Sequence, residues 1–143
     1  MTYKITQKDL AFKNDVESCN FHIPDFDHRA HLRLAYIYLV QTNCPSESVG
    51  LVRQALVGLL KHADVDPSVK YHETLTKAWL LAVHHFMHHT SNASSADDFI
   101  DQNPKLLDSK IMHTHYTDDV LFSESARTAF IEPNLEQIPR YAH

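Results

Sequence analysis

The chain has 143 residues and a formal charge of −5, with 43% hydrophobic and 22% charged residues, which is enough apolar material for one core and too much for a disordered tail. Two glycines, Gly50 and Gly58, are too few for the hairpins of an all-β fold, and a pI near 6.1 without a Lys/Arg cluster argues against a nucleic-acid surface. No apolar run approaches the roughly 20 residues of a membrane span, the first twelve residues lack a signal-like apolar region, and the isolated Cys19 and Cys44 read as reduced thiols of a cytoplasmic protein.

Patterning predicts a single helical domain over residues 1–143, with an N-terminal segment at 1–24, a bundle core at 26–116, and a short helix and proline-containing tail at 117–143. The first helix runs from about Phe26 to Gln41, with Asp25 or Asp27 as N-cap after Pro24. Cys44-Pro45-Ser46 turns into a second helix that Ser46 can cap, ending near His62. Asp66-Pro67 breaks the pattern, and a third, strongly amphipathic helix extends from Val69 or Lys70 to His89. Thr90 to Asp98 (TSNASSADD) reads as a loop and a helix start. Asn103-Pro104 resembles an N-cap with proline at the first position, opening a fourth helix to about His115. Ser123 caps a last short helix, Glu124 to Phe130. Short connections favour antiparallel neighbours, so the expected fold is an all-α, up-down-up-down four-helix bundle with short extra helices at the termini.

Histidine is the compositional outlier, at 12 residues. Helical phase at about 100° per residue sorts them. His28 extends the Leu32, Ala35 and Leu39 stripe by one turn, and His31 lies beside it, forming a His-x-x-His pair. His72 stands at the start of the Leu75, Trp79, Val83 stripe, with Glu73 at its edge. In an up-down-up-down bundle the first and third helices run parallel, so these histidines share one pole. The end of the fourth helix reaches the same pole and offers His115, with His113 as the less favoured choice. His84, His85, His88 and His89 form two i,i+4 pairs but read as a solvated or flanking face. His22, His62 and His143 read as loop, helix-end and terminal residues.

Two strings, FDHRAHLRLAY (Phe26 to Tyr36) and YHETLTKAW (Tyr71 to Trp79), resemble signature segments of an uncharacterised bacterial family of small helical proteins, and LFSESARTAFIEPNLEQIP (Leu121 to Pro139) is similar to that family's tail. The resemblance implies a helical fold and brings no activity. Its motif histidines correspond to His28, His31 and His72.

Converging imidazoles suit a divalent metal, zinc or iron. The preferred expectation is therefore a metal-dependent enzyme on a small-molecule substrate, either a hydrolase using metal-activated water or a non-haem iron oxygenase. In it His28, His31, His72 and His115 hold the metal and Glu73 is the general base or a further ligand. The alternative is a non-enzymatic helical module that binds a ligand or protein, its inward histidines acting as core hydrogen-bonders. A pocket open to solvent with converging imidazoles favours the first; a filled core whose histidines each bond a backbone carbonyl favours the second.

Overall fold

Why α2 lies at the centre follows from its composition. This helix, His28–Thr42, starts where the Asp27 carboxylate accepts a hydrogen bond from the Ala30 amide at 2.8 Å, and ends at Asn43 in the left-handed region (φ 52°). Leu34 to Leu39 are buried without a break, so the helix is apolar on every side there and must be surrounded. The computed structural model describes residues 2–141, and its helices do this: α1 (Gln7–Glu17), α3 (Pro45–His62), α5 (Glu73–His88) and α6 (Ala96–Gln102) all pack on α2. One-turn helices α4 (Pro67–Lys70), α7 (Asp118–Leu121) and α8 (Glu124–Thr128) complete the α-helical set. The all-α class is thus as the sequence suggests. Among the described residues, no helix is long and apolar enough to cross a membrane.

The fourth long helix is a correction. Residues 104–115 form two 3-10 turns, Pro104–Leu107 and Ser109–Thr114. Proline supplies no amide, and the Asp108 side chain accepts the Lys110 amide at 3.0 Å, restarting the chain locally instead of continuing an α ladder. Only Leu106 and Met112 are buried there, six residues apart and out of helical phase. Conversely, the 1–24 segment contains α1, which the Thr6–Asp9 capping box opens and whose Phe12 and Val16 enter the core.

Asp9 is itself buried. Its carboxylate accepts from the Thr6 amide at 3.0 Å, the Ala96 amide at 3.1 Å and Arg33 Nε at 3.1 Å, tying α1 to α2 and α6. Burial alone would raise its pKa; the two amides and the guanidinium outweigh that and leave it lowered. Nearby, β1 (Thr2–Tyr3) pairs in parallel with β2 (Asn92–Ala93).

Helix α3 begins with Pro45 at its first position, carries Glu47 in the first turn and Lys61 and His62 in the last, each suited to the helix dipole. Both glycines of the chain lie inside it. A Cβ built at Gly50 or Gly58 meets nothing within 4 Å, although each glycine in a helix interior costs about 1 kcal/mol relative to alanine. Packing within the chain asks for neither.

Candidate functional site

Helices α2 and α5 begin at the same end of the molecule, where the second half of α3 closes against them. Between them lies a cavity of about 540 Å³, lined by His28, His31, Tyr71, His72, Thr76 and Trp79, with Phe26, Leu56, Leu59, Leu60, Val65 and Leu75 among its apolar walls. Its size falls in the range of small-molecule sites. The structure therefore brings three of the expected residues together, and it does so by the parallel run of α2 and α5.

Each histidine differs in what it has left to offer. His72 is the N-cap of α5: its Nδ1 accepts the Leu75 amide at 3.0 Å, so the ring's proton sits on Nε2 and is donated to the Leu121 carbonyl at 2.7 Å. Both nitrogens are spent. Burial lowers its pKa, the Leu121 bond opposing and Arg127 adding to the shift. His28 donates Nε2–H to the Leu106 carbonyl at 2.8 Å and packs edge-on against Trp79, with ring centroids 4.4 Å apart. Its Nδ1 has no hydrogen-bond partner among the described residues. The His31 ring makes no hydrogen bond among the described residues and lines the cavity. Burial, followed by the neighbouring His28, pushes its pKa down to about 4, so it is an uncharged imidazole at neutral pH.

Glu73 and His115 do not join them. Glu73 is held on the other side of Tyr71, where Arg53 donates to it through Nε at 2.8 Å and Nη2 at 2.6 Å, and the Tyr71 hydroxyl donates at 2.7 Å. The guanidinium, against the opposing cost of burial, holds the carboxyl below its usual range. A carboxylate engaged by three donors outside the cavity is not placed as its general base. Because the fourth helix is absent, His115 falls on a 3-10 end and donates Nδ1–H to the Glu136 carbonyl at 2.7 Å. His113 faces Asp118 at 3.1 Å on the surface.

The expected four-histidine metal set thus reduces in the cavity to His28 Nδ1 and His31, one short of the three protein ligands of a catalytic zinc site. Among the described residues, no three His, Cys, Asp or Glu side chains converge on a metal position.

The cluster at 84–89 is less solvated than its pattern suggests. His84 is 5% exposed, and the rings gather around Tyr141, which stacks on His88 at 3.9 Å between centroids and bonds His85 Nδ1 through its hydroxyl at 2.7 Å. Sequence periodicity missed this because the cover arrives from the tail. His143 lies outside the described residues.

What sequence reasoning missed at the cavity is the wall from α3. Leu56, Leu59 and Leu60 form an apolar patch near the helix end, a signal present in the text but indistinguishable there from ordinary core. No family model, curated protein or solved structure matches the chain.

Proposed function

We propose that this protein binds a small, uncharged, largely apolar organic molecule bearing one hydroxyl-type donor, in the cavity between α2, α3 and α5. The observation that carries the reading is His31, a neutral imidazole without a hydrogen bond among the described residues, in a mainly apolar cavity of about 540 Å³ whose lining also includes Asp27, Lys70, Tyr71 and Thr76. A ring nitrogen that meets only the cavity can take a ligand hydroxyl as its hydrogen-bond donor, a bond whose net contribution is about 1 kcal/mol. His28 Nδ1 is a second ring nitrogen on the same wall without a hydrogen-bond partner among the described residues. The burial that keeps His31 uncharged equally disfavours a cationic ligand. His72 holds the helix that forms the wall, and the aliphatic side chains of α3 and Leu75 contact the ligand body.

This is the module reading with a ligand in place of a filled core. Two of the three cavity histidines bond backbone carbonyls, which supports that reading in part, while Glu73 and His72, the expected base and one expected ligand, are engaged in structural bonds. The only tryptophan of the chain, Trp79, lines the cavity, so its emission reports occupancy. Titration with 4-propylphenol and with propylbenzene is the test. The phenol should bind about tenfold tighter, a preference lost in His31→Leu. Equal affinity of the two compounds in the wild type, or a stoichiometric divalent metal removed by His28→Ala, would overturn the reading, the latter in favour of metal chemistry at His28 and His31.

A further inference from the structure

The outward face of α3 has a symmetry that the rest of the fold does not use. Arg53, turned towards Glu73, sits at one edge of an open groove of about 780 Å³ along it, and Glu47, Gly50, Leu51, Gln54, Val57, Gly58 and Lys61 line the rest. At 100° per residue they occupy one face centred on Gln54, opposite the buried Val52 and Leu59. Reading outward from Gln54, the residues at equal distance in either direction are Leu51 and Val57, then Gly50 and Gly58, then Glu47 and Lys61. Each pair is alike in size or opposite in charge.

From this we infer that α3 is the contact helix of a homodimer, packing antiparallel on the α3 of a second copy about a two-fold axis at Gln54. The axis sets Glu47 opposite Lys61 of the second copy at both ends, Leu51 opposite its Val57, and Gly50 opposite its Gly58. Isologous contacts of this kind are self-complementary by construction. The glycines leave two notches about 12 Å apart, where a second helix backbone can approach or a side chain can seat. That accounts for two glycines which nothing within the chain requires. Glu47 and Lys61 are exposed and form no ion pair among the described residues, so their charges are available to the second copy. A contact made by one helix face is small, and a weak, concentration-dependent dimer follows.

Sedimentation velocity of the full chain at low ionic strength, from about 5 µM to about 500 µM, reads the equilibrium. The wild type should pass from the 16.5 kDa monomer to the dimer over this range. Glu47→Lys and Lys61→Glu each place like charges in contact twice, and each alone should self-associate at least about tenfold more weakly. Their equimolar mixture restores both pairs and should return to within about threefold of the wild type. Gly50→Leu with Gly58→Leu should abolish the dimer without lowering the melting temperature, since a Cβ at either position meets nothing within 4 Å in its own chain and leucine favours the helix over glycine. A wild type that remains monomeric throughout overturns the inference. So does undiminished association of either charge variant, a mixture no tighter than its components, or a dimer that tolerates leucine at 50 and 58.

Discussion

The ring of His72 donates from Nε2 to the carbonyl of Leu121 at 2.7 Å, across 49 residues of sequence. With its Nδ1 accepting the Leu75 amide, one imidazole both starts α5 and fastens α7 to it. Thr74 adds a second fastening nearby, accepting the Ile131 amide and donating to the Ala129 carbonyl.

Separating the two bonds of His72 gives the first expectation. His72→Asn retains an N-cap acceptor but loses the Leu121 bond, and should cost about 1 kcal/mol; His72→Ala loses both and should cost about 2–3 kcal/mol. Urea unfolding measures the total, and amide exchange at residues 118–131 should speed up in both variants. Equal stability of His72→Ala and the wild type would contradict this assignment.

Glu73 behaves as a structural anion. Glu73→Gln removes the ion pair to Arg53, which is partly solvent-screened, and should destabilise by about 1 kcal/mol. Affinity for 4-propylphenol at Trp79 should change less than about twofold, because the carboxylate stands outside the cavity. A large loss of binding with unchanged stability would instead return Glu73 to the ligand site.

Acid should weaken the fold in a window set by His31. Its pKa is about 4 in the folded chain against 6.5 when exposed, so between these values the unfolded chain binds the extra proton. Stability is then full above pH about 6.5, falls as the pH drops towards 4 and levels off below it, with a total loss of roughly 3 kcal/mol. His72, also lowered, acts in the same direction. In His31→Leu the slope of urea-unfolding free energy between pH 7 and 4.5 should shrink; an unchanged slope would show that His31 is not the group titrating.

Helical phase and the short connection at Cys44 were sufficient to align α2 with α5 and to bring His28, His31 and His72 to one end. These are local signals, repeated over three or four turns. The 104–115 segment misled because one N-cap signature describes only a start; the lack of a continuing apolar stripe after Leu106 carried the opposite information. Bond-by-bond roles were not legible at all. That His72 is saturated and His28 keeps one ring nitrogen depends on Leu121 and Leu106, whose carbonyls arrive from stretches with no sequence relation to the histidines they meet. The same holds for Tyr141 over the 84–89 cluster, and for Asp9, whose helix lies in what patterning gives only as an N-terminal segment.

The parallel pairing of residues 2–3 with 92–93 bears on how the chain comes into being. Synthesis is vectorial, and the first strand waits for a partner made 90 residues later. Until then the Ala96 amide is missing from Asp9, and α1, α2 and α3 have their local turns but no seal. Contacts of such long sequence separation close late. A nascent chain stalled before residue 92 is therefore an unlatched one, with Tyr36 and its neighbours still within reach of other chains.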